Sequence, residues 1–486
     1  MNSFSQPAAA VILSAGLGTR MKSDRPKTLH QILGRPMIAH VAATAEDAGL
    51  DPVVVVVGPE MAGVADAVPR HRLAVQEARL GTAHAVCQAR DALQGFDGTV
   101  VVLYGDTPLI TAETVRRLIR LRETSAAGVA VLGFRTSSPG AYGRLIVGDD
   151  GLLAIVEAKD ATAEQQRIEL CNSGVMAIDG TRIWTWLDRI DNNNAKGEFY
   201  LTDIVAQARN DGYQCVIVEG DEQEFVGVNS RAELAVCEAI AQERMRQIAM
   251  AAGATLLDPA TTYFSYDTQL GRDVTVGPFT VFGPGVTIGD TVEIKGFCHF
   301  EGCVVAPGAV LGPYARLRPG ADVREDVHIG NFVEIKKAVI EPGAKINHLS
   351  YVGDARVGAK ANIGAGTITC NYDGFGKHHT EIGAGAFIGS NAALVAPVRI
   401  GDGAIVGAGS VITDDVAPDA LVVGRSRQEQ RDGWAGRFRM RQQSALLNRI
   451  GKSVPSTSDP CPNTGTLPAS HHAPGQQPPA RAGAGE

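Results

Sequence analysis

From about Val274 to Ile412 an apolar residue followed by glycine returns at intervals of six: Val276-Gly277, Phe282-Gly283 and Ile288-Gly289, then Ile382-Gly383 and Ile388-Gly389, then Ile400-Gly401 and Val406-Gly407. Neither the 3.6-residue period of a helix nor the two-residue alternation of a half-buried strand gives that spacing. A chain that lays down a short strand, turns a corner and repeats does give it, with each coil stacking its apolar residue inward. The pattern predicts a parallel β-helix. It breaks at Asn371-Tyr372-Asp373-Gly374-Phe375-Gly376-Lys377-His378-His379, an insertion between coils of the kind that often carries binding work.

The chain before the repeat is built differently. Residues 8 to about 229 alternate short apolar runs with helical patterns, and Ala9 to Leu13, Val53 to Val57 and Val100 to Tyr104 read as fully buried parallel strands of an α/β domain. Ser230-Arg231-Ala232-Glu233 then fits a capping box, and Leu234, Cys237, Ala241, Met245 and Ile248 continue at helical spacing to a stop at Gly253. The expected organisation is an α/β domain over 1–229, a helical linker over 230–252, a β-helix over 253–451 and, over 452–486, a Pro/Ala/Gly/Ser/Gln tail too poor in aliphatic residues to order itself. Within that tail His471-His472 reads as composition, not as a metal site.

Composition narrows the function classes. At 486 residues the chain is too long for one ordinary core. A net charge of −8, with no long basic run, argues against a nucleic-acid partner held through phosphates. Eight cysteines without close pairing, mostly in apolar surroundings, read as reduced thiols. No apolar stretch is long enough to span a membrane, and no basic segment precedes the run at Ala8 to Leu13, so a soluble cytoplasmic protein is expected.

Two places carry candidate chemistry. Leu13-Ser14-Ala15-Gly16-Leu17-Gly18-Thr19-Arg20-Met21 is a strand-to-loop transition whose glycines let backbone N–H groups approach an anion. It lacks the Gly-Lys-Ser/Thr ending of a Walker A loop, and Met21 stands where a dinucleotide fingerprint needs glycine or alanine. Arg20 and Lys27 supply cations able to neutralise a triphosphate. Taken alone, the loop is better read as a tight turn with solvated surface cations. Asp106 follows the third buried strand at its carboxyl end, where open α/β sheets bind ligands and where a carboxylate can hold a divalent ion; a turn or cap role is the alternative. In the coil, Arg316, Arg318, Lys336, Lys337, His348, Tyr351 and Asn362 gather ahead of the insertion and suit an anionic sugar. His348 can take a proton near neutral pH or simply bond to backbone at a corner. His299, His328 and His348 are separated by 29 and 20 residues, which places them out of phase for a metal triad.

The motifs LSAGLGTRM with Pro26-Lys27, QEARLGTAH (Gln76 to His84), Tyr104-Gly105-Asp106, Tyr142-Gly143-Arg144, Val156-Glu157, Asn172-Ser173-Gly174, NNNAKGEFYLTD (Asn192 to Asp203) and Gly227-Val228-Asn229 resemble sugar-1-phosphate nucleotidylyltransferases. In order and spacing over residues 8 to 435 they resemble most the bifunctional bacterial enzymes that are both N-acetylglucosamine-1-phosphate uridylyltransferases and glucosamine-1-phosphate N-acetyltransferases. The resemblance implies a Rossmann-like nucleotidylyltransferase domain and a left-handed coil, the hand opposite to the usual crossover preference. It implies that Leu13, Ser14, Ala15, Gly16, Lys27, Gln76, Gly81 and Thr82 bind the uridine nucleotide, with Tyr104 and Gly105 in the same UDP-N-acetylglucosamine site. Gly143, Glu157 and Asn172 would hold the sugar, and Asp106 and Asn229 would hold magnesium. Arg20 is assigned the transition-state charge of uridylyl transfer from UTP to N-acetylglucosamine 1-phosphate.

For the coil, the resemblance implies that Arg318, Lys336, Tyr351 and Asn362 bind glucosamine 1-phosphate and that His348 is the base. Ala365, Asn371, Tyr372, Ser390, Ala408 and Arg425 would line the acetyl-coenzyme A site. A homotrimer with sites between subunits, and a product feeding bacterial cell-wall and outer-envelope polymers, are implied as well. Two competing readings remain: a coil that serves only assembly or regulation, and a solenoid scaffold beside a degenerate nucleotide domain.

Overall fold

The protein is described by a computed structural model over residues 4–451; the expected tail over 452–486, with Cys461, His471 and His472, lies outside the described residues. Residues through Arg425 form one compact unit, and a second begins at Ser426.

The three valine-rich runs become the strands Ala8–Leu13, Val53–Val57 and Thr99–Tyr104, each almost wholly buried. Ala8–Leu13 lies between the other two and is parallel to both, Leu13 standing opposite Val56 on one side and Tyr104 on the other. With neither face exposed, these strands carry continuous apolar side chains. Arg72–Val75 extends one edge of the sheet. On the other side Leu170–Asp179, a strand outside those three runs, enters antiparallel between Thr99–Tyr104 and Val129–Arg135. Its ten residues bend at an irregularity between Asn172 and Met176, which lets the upper half also reach the hairpin Arg144–Gly148 and Gly151–Val156. Beyond it, Cys215–Glu219 is parallel to Val129–Arg135.

The connector helix runs from Arg231 to Ala251. The Ser230 hydroxyl accepts the Glu233 amide at 3.3 Å, as in a capping box, and the Glu233 carboxylate reaches back one residue beyond the cap to accept the Asn229 amide at 2.8 Å. Gly253, at φ +105°, turns the chain out of the helix. Cys237 and Ala241 bury against Met21, Ile32, Leu33 and Met37 of the α/β domain. Gln242 clamps the start of the coil, donating to Phe264 O and accepting from Phe264 N, both at 2.8 Å.

From Leu256 onward the apolar hexad positions line a continuous core. One face is ten short parallel strands, reading Thr255, Thr275, Glu293, Val310, His328, Lys345, Asn362, Phe387, Ile405 and Leu421 in register. The step is 17 or 18 residues through the regular coils (275 to 293, 293 to 310) and 25 from Asn362 to Phe387, where the insertion is looped out. The glycine after each apolar residue is required by the next coil: a Cβ on Gly389 would lie 2.5 Å from the Ala408 nitrogen. Phe264, Phe282 and Phe300 stack inside, with centroids 5.2 and 5.6 Å apart.

The coil, expected to reach residue 451, ends at Leu421–Val422, and Trp434–Gly451 is an α-helix. Its Arg, Met, Gln, Ala and Leu content favours helix, and the hexad pattern of apolar residue and glycine has stopped. No helix of the described residues is long and apolar enough to cross a membrane. Of the seven described cysteines five are buried, and burial raises the Cys215, Cys237, Cys298 and Cys303 thiols to about 11, 12, 11 and 12.

Removing the Ser230 hydroxyl leaves a first-turn amide of the connector without its acceptor. Ser230→Ala is expected to cost about 1 kcal/mol in urea unfolding followed by circular dichroism, and Ser230→Asp to recover most of it.

Candidate functional site

The parallel register sets the carboxyl ends of Ala8–Leu13 and Thr99–Tyr104 side by side. The glycine loop and Asp106 therefore open onto one cavity of about 250 Å³, lined by Leu13, Ser14, Ala15, Gly16, Lys27, Thr28, Gln76, Arg79, Gly81, Thr82, Ala85, Tyr104, Asp106 and Glu198. The loop is braced by a buried bond of 2.7 Å between the Ser14 and Thr28 hydroxyls. A Cβ on Gly16 would meet nothing within 4 Å, so packing does not ask for glycine there. Gly81 differs, because at φ +122° its Cβ would sit 2.4 Å from the Phe199 carbonyl oxygen.

That close approach joins two motifs. The Ala83 amide donates to Phe199 O at 3.0 Å, the Phe199 amide to Leu80 O at 2.8 Å, and the Leu201 amide to the Thr82 hydroxyl at 2.9 Å. Buried Gln76 donates to Gly81 O at 3.2 Å. Gly105 has its own constraint, since a Cβ there would press on Ile38 and Thr28 at 2.9 and 3.1 Å.

A second cavity of about 230 Å³ adjoins the first, sharing Thr82, Tyr104 and Glu198 and adding Tyr142, Gly143, Glu157, Asn172, Lys196, Tyr200 and Thr202 among others. Asn172 is fixed by donating its amide N–H to Gly143 O at 2.8 Å and by accepting the Gly174 amide at 3.0 Å. Burial pushes the Glu157 carboxyl above its ordinary value, with Lys196 and the Thr202 hydroxyl pulling the other way. Burial, then Glu157 and Asp106, hold the Tyr104 phenol well above its ordinary range, so it remains a neutral hydrogen-bonding group.

At the floor of the first cavity the Lys27 ammonium pairs with Asp106 and donates to the Asn229 side-chain oxygen at 3.0 Å. One carboxylate and one amide oxygen thus converge on a single cationic atom, and hard oxygen donors of this kind suit a divalent ion that completes its shell with phosphate and water. Asn229 is positioned by the capping box that follows it.

Arg20 is exposed on the turn Thr19–Met21 and does not line the cavity. Arg79 does, held by a bond to Ala15 O at 2.6 Å and by pairing with Glu60. Arg79 and Glu198 both fall inside motifs quoted above but were not singled out; the join between those loops, which brings them to the cavity, is invisible in sequence.

On the coil, residues three past each strand start on the ten-stranded face share one corner. In register these are Asn331, His348, Ala365, Ser390 and Ala408, with Arg425 one residue past the next. They form a column rising about 19 Å over the four coils above His348, at one strand spacing per coil. His348 is exposed, and its Nδ1 lies 2.8 Å from the Asn331 side-chain oxygen. With the proton on Nδ1 donating to that oxygen, Nε2 keeps a free lone pair. Tyr351 follows Glu334 in register on the adjacent face, and its hydroxyl accepts from Asn371 Nδ2 at 3.4 Å. Asn371 is buried and also bonds Asp354.

The basic cluster is partly neutralised, since Glu334 lies 2.8 Å from Arg318 and 3.6 Å from Arg316. Lys336 follows Glu334 by two residues, while Asn362 lies on the ten-stranded face between Lys345 and Phe387. Tyr372 is exposed in the insertion beneath the Lys377 ammonium, 4.1 Å from its ring centroid. Asp373 shapes that loop by accepting the Phe375 and Gly376 amides at 2.8 and 2.7 Å, and these bonds with the His378 ring hold its carboxyl far below the usual range. Asn331, Glu334 and Asp354 are further polar residues that sequence reading did not find, because coil register, not sequence spacing, sets their neighbours.

Residues 10–167 match the MobA-like NTP transferase domain family, and residues 379–414 match the bacterial transferase hexapeptide family of six repeats. The chain is 61% identical over 439 residues to a bifunctional protein GlmU of Paramagnetospirillum magneticum, covering 90% of this chain and 98% of that one. It is similar to the bifunctional proteins GlmU of Rhodospirillum rubrum, 62% identical with 89% and 97% covered, and of Azorhizobium caulinodans, 56% identical with 88% and 96% covered.

Because the folded state favours protonated Glu157, its charge is a burden in the ligand-free domain at neutral pH. Glu157→Gln is expected to raise the melting temperature at pH 7.5. This advantage should shrink as pH falls through the raised value and vanish below the ordinary 4.5.

Proposed function

The chain belongs to the family of the bifunctional GlmU proteins, in which a uridylyltransferase and an N-acetyltransferase share one polypeptide, and on that premise we propose that its two sites are the strand-end cavity and the His348 corner. In this reading the coil acetylates glucosamine 1-phosphate from acetyl-coenzyme A. The α/β domain then transfers uridylyl from UTP to N-acetylglucosamine 1-phosphate, releasing pyrophosphate and making UDP-N-acetylglucosamine.

In the α/β domain Leu13 to Gly16, Gln76, Gly81 and Thr82 receive the nucleotide, and Gly143, Glu157 and Asn172 receive the sugar. The two abutting cavities would then set the sugar phosphate beside the α-phosphorus of UTP, and such in-line placement contributes much of the rate. Magnesium, held by Asp106 and Asn229, would supply charge neutralisation on the phosphates when bound. Lys27 and Arg79 face the same space and oppose the charge that builds on the leaving pyrophosphate. Arg20 joins them when the exposed turn Thr19–Met21 folds over the nucleotide.

On the coil, Arg318, Lys336, Tyr351 and Asn362 hold the sugar phosphate near His348. Nε2 of His348 takes a proton from the sugar amine as the nitrogen attacks the thioester carbonyl, and coenzyme A leaves. The Asn331 oxygen fixes the tautomer that makes this possible. Ala365, Ser390 and Ala408 leave the column open for the pantetheine arm, Asn371 and Tyr372 flank it, and Arg425 meets a phosphate. This column is exposed along a corner, which supports a homotrimer in which a neighbouring subunit closes each acetyltransfer site.

The observation carrying the whole reading is the column: one register aligns the base with every small residue assigned to coenzyme A. His348→Ala is expected to lower acetyl transfer by about 10²–10⁴-fold while leaving uridylyl transfer unchanged, read by thiol release and by pyrophosphate release. Arg20→Ala should do the converse, lowering uridylyl transfer about 10²-fold with acetyl transfer intact; an unaffected uridylyl rate removes Arg20 from the mechanism.

A further inference from the structure

Lys27 stands where two functions meet. Its ammonium is shared between Asp106 and the Asn229 oxygen, 3.0 Å from the latter, and the Lys27 and Asp106 side chains are only 12% and 20% exposed. Those two oxygens are also the pair assigned to the divalent cation. An ammonium bonds oxygen at about 2.8 Å and a magnesium ion at about 2.1 Å, so one point cannot hold both.

We propose that Lys27 is a built-in competitor for the metal position, closing it until the nucleotide arrives; this rests on the reading of Asp106 and Asn229 as the metal pair. The backbone of the lysine is fixed, because neighbouring Thr28 is buried and bonded to Ser14. Only the flexible four-carbon stem is free to move. The cavity it lines already contains the glycine loop proposed to take the triphosphate. When a cation enters with the nucleotide, the displaced ammonium finds phosphate oxygens there in place of Asp106. Without nucleotide the ammonium has no such partner, and the free cation must break a charge-assisted pair to enter. Metal and nucleotide therefore bind with positive cooperativity, and the coupling passes through Lys27.

The test is manganese(II) titration of the full-length, nucleotide-free protein, followed by electron paramagnetic resonance. Lys27→Met is expected to bind manganese about tenfold more tightly than the native protein, while Lys27→Arg gains nothing because the charge remains. Arg79→Met controls for the general field of the cavity and should change the affinity by less than about twofold. No gain in Lys27→Met, or an equal gain in Arg79→Met, overturns the proposal. Asp106→Ala separates the two layers. If it leaves manganese binding intact, the metal pair is misassigned and the competitor role falls with it. If it abolishes binding while Lys27→Met matches native, the competitor role alone is lost. Melting profiles of the variants establish that each is folded.

Discussion

Parallel register between strands far apart in sequence is the constraint on which both sites depend. In the α/β domain it sets Leu13 against Tyr104, so a glycine loop and a carboxylate separated by some ninety residues share one sheet edge. In the coil the same kind of pairing repeats through ten strands and lifts single residues of successive turns into a column. Backbone hydrogen bonds fix the geometry in both places, and side chains have only to be chosen for what they face. A one-residue slip in the coil would turn its inward side chains outward, and a slip in the α/β sheet would part Leu13 from Tyr104 and dismantle the site.

The connector helix links the domains and also completes the first site. Its capping box holds Asn229, its buried face packs on Met21 beside the glycine loop, and Gln242 grips the first coil. This one helix thus positions a proposed metal ligand, supports the glycine loop and fixes the start of the solenoid. In the proposed reading the chemistry divides around it, with charge neutralisation and alignment in a cleft between loops and proton removal at an exposed corner.

Much of this was legible in sequence because it depends on local rules. The valine runs, the hexads, the Ser230–Glu233 box and the looped-out insertion each follow from periodicity or capping. What escaped depends on contacts between distant segments. Leu170–Asp179 runs antiparallel in the middle of the sheet, which its composition does not distinguish from a parallel strand. The motif at Gln76 to His84 was visible, yet Arg79 gains its place only through the join with Asn192 to Asp203. Arg20 looked equally suited by charge and stands on an exposed turn. Asn331 precedes His348 by one coil, a neighbour that seventeen residues of sequence conceal. The end of the coil was missed because loss of a repeat is a weaker signal than its presence.

A single time course tests the two-site account most directly: the purified protein with glucosamine 1-phosphate, acetyl-coenzyme A, UTP and magnesium, sampled by mass spectrometry. Free N-acetylglucosamine 1-phosphate should rise first and then fall as UDP-N-acetylglucosamine accumulates after a lag. Uridylylated product that forms only when the sugar is supplied already acetylated would contradict the assignment of chemistry to the coil.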